Sequence, residues 1–153
     1  MDESDLNTLV RNNLSFGFKI PDPIGMTALS ATSRCFDGFG IILENTGAYP
    51  VYWESKFSKK LQAFNLKKIE THQADNLSKI ADLLPSARTW VIYGVHAGHG
   101  DTRLYVFDWR FLRKRYGTEE NVLKKHLDTL PYNKVKKGIV VFEHIIKEIS
   151  DDC

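Results

Sequence analysis

Residues 39–57 have little choice but to fold as a β-hairpin. Phe39-Gly40-Ile41-Ile42-Leu43 is an apolar run. Glu44-Asn45-Thr46-Gly47 then supplies the Asn and Gly that tight hairpin connections need for positive backbone dihedrals. Residues 49–57 form the return strand. Its side chains alternate between faces, so Val51, Trp53, Ser55 and Phe57 share one, mostly apolar and suited to packing on a helix. Tyr52, Glu54 and Lys56 share the other. An acid and a lysine at this spacing stand ~7 Å apart along the strand and can converge on one ligand. Such a pair is ordinarily just a solvated sheet face.

Asp37 gives the pair a chemical context. It opens the first hairpin strand, directly before Gly38-Phe39-Gly40, where glycines permit close backbone approach. A tight hairpin brings its carboxylate beside Glu54 and Lys56. Two carboxylates with open positions are the usual way to hold Mg²⁺, which keeps several waters and lets a substrate phosphate complete its shell. Lys56 could orient or deprotonate a bound water and screen developing charge. Asp37…Glu54-Ser55-Lys56 is thus an Asp…Glu-X-Lys nuclease pattern with Asp37 and Glu54 as metal ligands, though such triplets also arise by chance.

The flanking sequence predicts a mixed sheet with helices around it, an α/β chain of the α+β kind. Leu6, Leu9, Val10 and Leu14 recur at helical spacing, and residues 16–20 read as a brief strand. Pro21-Asp22-Pro23 stops regular structure, and 24–34 is a loop of small residues. Asn65 can cap a helix over 66–84 with Leu66, Ile69, Leu77, Ile80 and Leu84 as its apolar stripe. Gln73 lies on that stripe, where a buried amide must be paired. It could reach the metal site to hold a water or phosphate oxygen, or sit satisfied at the stripe edge. Strands are expected at 89–95 and 104–107, separated by a 96–101 loop. Asp108 can cap a basic helix over 109–116. A helix near 119–127, a short strand at 139–141 and a final helical turn complete the expectation.

Length and composition place the chain as one domain, 1–153, with 42% apolar residues to build a core and no ~20-residue apolar run to cross a bilayer. Two cysteines, Cys35 and Cys153, and an acidic start without a secretion-signal pattern point to a reducing cytoplasm. The net charge of +2 conceals an asymmetry, because Asp2, Glu3, Asp5, Asp151 and Asp152 crowd the two ends. Residues 6–150 hold 21 basic against 14 acidic side chains. That balance suits a polyanion, or simply a solvated surface. Lys59, Lys60, Lys67 and Lys68, with Arg34 and His72, are the candidate DNA-contacting residues.

Four ordered blocks resemble the RecU Holliday-junction resolvases of the PD-(D/E)XK nuclease superfamily. Lys19-Ile20-Pro21-Asp22-Pro23 is similar to their Lys-X-Pro-Thr-Pro segment, with Asp22 in place of Thr. Asp37-Gly38-Phe39-Gly40-Ile41 resembles their Asp-X-X-Gly strand, and Trp53-Glu54-Ser55-Lys56 their Glu-Ala-Lys motif. The stretch from Phe64 to Gln73 resembles their block ending in His-Gln. The resemblance implies a restriction-endonuclease-like fold and Mg²⁺-dependent (or Mn²⁺-dependent) nicking of four-way DNA by a homodimer. It also implies work in recombination and repair at the nucleoid, or in a host cytoplasm if the gene is a phage's. Asp37, Glu54, Lys56 and Gln73 would be the active-site residues, with Glu3 the best candidate for a further acidic ligand from the N-terminal helix. Only 13 residues separate Pro23 from Asp37, shorter than the family's projecting stalk, so 24–34 would be a reduced one. The alternatives are a nuclease of this type acting on flaps, ends or a restriction-type site, and a non-catalytic DNA-binding accessory protein.

Two further features carry less. His96, His99 and Asp101 sit in a glycine loop without a second ligand pair of recognisable zinc spacing. Trp109-Arg110-Phe111 through Tyr116 could be a nucleic-acid face or part of the core.

Overall fold

The computed structural model describes residues 1–20, 36–118, 127 and 129–149. The expected 24–34 loop with Arg34 lies outside them, as does nearly all of the helix expected at 119–127. The described chain runs α1 (Glu3–Asn13), β1 (Phe16–Lys19), β2 (Gly38–Glu44), β3 (Gly47–Ser58), a 3₁₀ turn (Leu66–Lys68) and α2 (Thr71–Leu83). It continues through β4 (Arg88–Gly98), β5 (Asp101–Asp108), α3 (Trp109–Leu112), β6 (Asn133–Val135) and β7 (Ile145–Ile146).

The strands form one mixed sheet in the order β1-β2-β3-β4-β5-β6, with β7 beside β5. β3 and β4 are parallel, because α2 carries the chain back across the sheet between them. The alternation along each strand builds two cores. On one face Leu6 and Val10 of α1, with Leu14 just past its end, meet Val51, Trp53, Trp90, Ile92 and Val106. On the other, Leu77 of α2 and Leu112 of α3 join Val91, Tyr93, Tyr105 and Phe107. No helix among the described residues is long and apolar enough to cross a membrane.

The hairpin has the expected register, with Gly38 opposite Trp53 and Glu44 opposite Gly47. Gly38 has to be glycine: a Cβ there would lie 2.2 Å from the Trp53 ring and 2.5 Å from the Phe18 carbonyl oxygen. The absent side chain lets β1, β2 and the indole close up beside Asp37.

Elsewhere the structure corrects the sequence reading. The single helix expected over 66–84 is two pieces. Asn65 caps only a 3₁₀ turn through the Lys67 amide, and Ile69 and Glu70 are extended. The Gln73 side-chain oxygen then accepts the Glu70 N–H at 2.9 Å, which starts a new helix at Thr71. The 96–101 loop is mostly strand, since β4 runs to Gly98 and only a turn through Gly100 (φ 70°) precedes β5. Asp108 does cap α3, but the helix stops at Leu112 rather than Tyr116. Trp109 is a core residue, its indole bonded to Ser78 Oγ at 2.9 Å.

The 139–141 strand is reduced to one bridge between Lys136 and Ile139. Lys137 and Gly138 make a positive-φ turn there, and Asn13 takes the Val140 N–H. The final helical turn is instead β7. Buried Asn133 accepts from the Glu143 and His144 amides and donates to the Leu104 and His144 carbonyls. It thereby holds the chain extended alongside β5.

Candidate metal centre

β2 ends where the site begins. Beyond Trp53, β3 keeps β4 on one side but has no further pairing with β2 on the other. Asp37 fills that role with both backbone and side chain. Its N–H donates to the Trp53 carbonyl at 2.9 Å, and its Oδ2 accepts the Ser55 N–H at 2.8 Å. The carboxylate is fully buried and fixed next to Glu54.

Glu54 is 1% exposed. Its Oε1 accepts from the Lys56 ammonium at 2.9 Å and from Gln73 Nε2 at 2.6 Å. Its Oε2 is buried with no hydrogen-bond partner. Gln73 is held at both ends, its oxygen on the Glu70 amide and its nitrogen on Glu54. The polar residue on the α2 stripe is therefore a strut from the helix start to the acid.

Glu3 arrives from the other layer. The first turn of α1 is held by a reciprocal pair, Asp5 N–H to Asp2 Oδ1 and Asp2 N–H to Asp5 Oδ2, both 2.9 Å. One Glu3 oxygen stands 3.7 Å from the Lys56 ammonium. Glu3, Asp37 and Glu54 each offer an oxygen within 4.8 Å of the others, the one such set among the described residues. His96, His99 and Asp101 make no comparable group.

Asn7 escaped the sequence reading. One turn along α1 from Glu3, it is 2% exposed, and its Oδ1 accepts from Trp53 Nε1 at 2.9 Å and Ser55 Oγ at 2.7 Å. It locks α1, and with it Glu3, onto the strand that carries Glu54 and Lys56. The available signal was a polar residue beside Leu6 in an otherwise apolar stripe. Asn7→Ala leaves two buried donors without a partner. It is expected to cost about 2–4 kcal/mol of unfolding free energy in urea titration, against little for the exposed Asn12→Ala.

The charges are unbalanced, three carboxylates to one ammonium. Burial, then the neighbouring Asp37, pushes the Glu54 carboxyl up to about 7, with Lys56 pulling the other way. Burial opposes the charge on Lys56 as well, but Glu54, Glu3 and Asp37 together raise its pKa, so it stays an ammonium at neutral pH. A divalent cation would relieve this repulsion and use the idle Glu54 Oε2. The all-oxygen donor set fits Mg²⁺ or Mn²⁺.

The connection from β3 to α2 carries Lys59, Lys60, Lys67 and Lys68, all exposed. His72 is half-buried and turned to Glu70, with Nδ1 3.3 Å from its carboxylate. Thus Glu3, Asp37, Glu54, Lys56 and Gln73 come together, and the four candidate DNA-contacting lysines lie on the segment joining Lys56 to Gln73. No protein-family model matches the chain and a search of curated proteins returns no match, which leaves the chemistry of the centre itself as the guide to its work.

Proposed function

We propose that the chain is a divalent-metal-dependent DNA endonuclease of the PD-(D/E)XK type that nicks Holliday junctions as a resolvase. The observation that carries the proposal is the convergence of Glu3, Asp37 and Glu54 within 4.8 Å, with Lys56 at 2.9 Å from Glu54. The resemblance over residues 19–73 supports the four-way junction as substrate.

The three carboxylates would hold the ion. When bound, Mg²⁺ supplies Lewis acidity toward a phosphoryl oxygen and lowers the pKa of a water. Gln73 keeps Glu54 Oε1 in place, so that Oε2, without a hydrogen bond, would be available to an ion. Lys56, a cation held by its neighbours, donates a proton-bearing nitrogen to developing negative charge. That electrostatic role fits its raised pKa better than proton abstraction does. Asp37, anchored on the Ser55 amide, contributes a preset ligand. Without a cation the cluster would repel phosphate, so cleavage should require the metal.

Matched linear, flap and four-way DNA substrates, each with Mg²⁺ and with EDTA, test the reading. Paired nicks in the four-way substrate with Mg²⁺ alone are expected. Cleavage that favours flaps or linear ends instead moves the protein to another substrate within the same chemistry. No cleavage of any substrate with Mg²⁺ or Mn²⁺ refutes the nuclease.

Binding should weaken steeply with salt, since each neutralised phosphate adds about 0.9 to the log–log slope on duplex DNA. Reversing Lys59 and Lys60 to Glu is expected to reduce that slope by about 2 and to lower affinity for all sequences alike. Affinity unchanged between low and moderate salt contradicts a phosphate-contacting surface.

A further inference from the structure

The apolar period of 66–84 is that of one unbroken helix, yet the chain is extended at Ile69 (ψ 115°) and Glu70 (ψ 153°). Hydrogen bonds show what holds the break. In a continuous helix the Glu70 N–H would donate to the Leu66 carbonyl, and the Ile69 carbonyl would accept from the Gln73 N–H. Here the Ile69 N–H takes the Leu66 carbonyl at 3.0 Å, and α2 begins with the bond from Ala74 to Glu70. The Glu70 N–H goes instead to Gln73 Oε1, and the Ile69 carbonyl accepts the Tyr116 hydroxyl at 2.7 Å, 47 positions along the chain. Tyr116 is itself well fixed. Its N–H reaches the Leu112 carbonyl at 3.2 Å in the turns that follow α3, and Gly117 (φ 85°) ends them. Its half-buried ring stands edge-on to Trp109 at 5.6 Å between centroids, and the Trp109 indole is bonded to α2 through Ser78. This segment thus grips α2 at two points, its body through Trp109 and its start through Tyr116.

We infer that Tyr116 is a positioning residue for the candidate metal centre, its hydroxyl keeping the 66–84 segment broken so that Gln73 is presented to Glu54. The route from phenol to acid is short. Tyr116 holds the Ile69 carbonyl, the Glu70 N–H released by the break fixes the Gln73 oxygen, and the Gln73 nitrogen donates to Glu54 Oε1 at 2.6 Å. The apolar stripe does not choose between the broken and the continuous form, because Leu66, Ile69 and Leu77 keep helical spacing across the break. The hydroxyl does choose, since it satisfies a carbonyl that only the broken form takes away from Gln73. Without it, that carbonyl can recover the Gln73 N–H by extending α2 backwards, and the Glu70 N–H can turn to the Leu66 carbonyl. The Gln73 amide then loses its anchor and its fixed aim at Glu54. The geometry of this route stands by itself, and its consequence for an ion rests on the metal-centre reading.

Tyr116→Phe removes one oxygen and keeps the ring against Trp109, so the full chain is tested with its packing intact. Two readouts are taken, the Cα chemical shifts of Ile69 and Glu70 in the metal-free protein and calorimetric titration with Mn²⁺ at about pH 8. In Tyr116→Phe the two shifts should move from extended toward helical values. Losing an outer partner of a metal ligand costs about 10–100-fold in affinity, which is expected of Gln73→Ala, whereas Tyr116→Phe, one step further out, should cost about three- to tenfold. Because Tyr116 acts through Gln73, the double variant should bind Mn²⁺ within about twofold of Gln73→Ala alone. Ser78→Ala, which removes the other grip on α2, should leave Mn²⁺ affinity unchanged. Unchanged shifts or unchanged affinity in Tyr116→Phe overturns the inference. A further fall in the double variant also overturns it, by routing the effect around Gln73, and so does an equal fall in Ser78→Ala, which would make the effect a general loosening of α2. A wild type that binds no Mn²⁺ fails at the metal-centre reading and takes this role of Tyr116 with it, an outcome distinct from all the others.

Discussion

Asp37→Asn, Glu54→Gln and Lys56→Ala are each expected to reduce metal-dependent DNA cleavage by three orders of magnitude or more, as loss of a group that stabilises transition-state charge costs at least about 10²–10³-fold and these three share one ion. The structure makes the first two clean substitutions. An asparagine carbonyl in place of the Asp37 carboxylate could still accept the Ser55 amide, and a glutamine in place of Glu54 could still accept from Gln73 and Lys56. The fold therefore survives while ligand charge is lost. The effects should not add. If the three carboxylates share one ion, removing one would already prevent binding, and the Asp37→Asn/Glu54→Gln pair should be no slower than either alone. Folded variants cleaving at the wild-type rate remove the assignment for that residue. Gln73→Ala is expected to act more weakly, because it positions Glu54 rather than meeting substrate.

The second large effect concerns stability and has an unusual sign. Glu54 titrates at about 7 in the folded chain against 4.5 in the unfolded one, so unfolding releases a proton between those pH values. The metal-free protein therefore loses stability as pH rises from 4.5 to about 7, by about 3 kcal/mol at ~1.36 kcal/mol per unit. Glu54→Gln removes that loss. The variant should be more stable than wild type at about pH 8 by up to about 3 kcal/mol, with the difference nearly gone at about pH 5. Saturating Mg²⁺ should narrow the gap at the higher pH by stabilising only the wild type. Denaturant unfolding at both pH values, with and without Mg²⁺, checks this. A variant less stable at the higher pH than at the lower, relative to wild type, would show that Glu54 is not strained by its burial. The idle Glu54 Oε2 is the structural face of the same strain, a functional group kept in an unfavourable place.

What could be read from the sequence tracks the physics that writes it. The hairpin was legible because a two-residue period assigns each side chain to a face, and that assignment brings Asp37, Glu54 and Lys56 together. Gln73 was legible as a polar residue on an apolar stripe, although the helix carrying it begins five residues later than expected. The break at Ile69-Glu70 was hidden because Leu66, Ile69 and Leu77 keep helical spacing across it and all three end up buried. Strands β6 and β7 are too short to show any period. They exist because one buried asparagine, Asn133, gathers four backbone bonds from distant segments. Glu3 could be singled out only through the family resemblance, since nothing in an amphipathic helix says where its first turn will point. Asn7, which decides that direction, bonds to residues 46 and 48 positions away, beyond the reach of any local pattern.

Calorimetric titration of the metal-free protein with Mn²⁺ at about pH 8, without DNA, addresses the centre itself, where a bound cation displaces the protons its ligands would otherwise hold. The expected result is saturable binding at the Glu3, Asp37 and Glu54 carboxylates, lost in Asp37→Asn and accompanied by proton release that grows as the starting pH falls toward about 7. Binding that is absent in the wild type, or that survives unchanged in Asp37→Asn, would contradict the assignment of these three carboxylates as a metal centre.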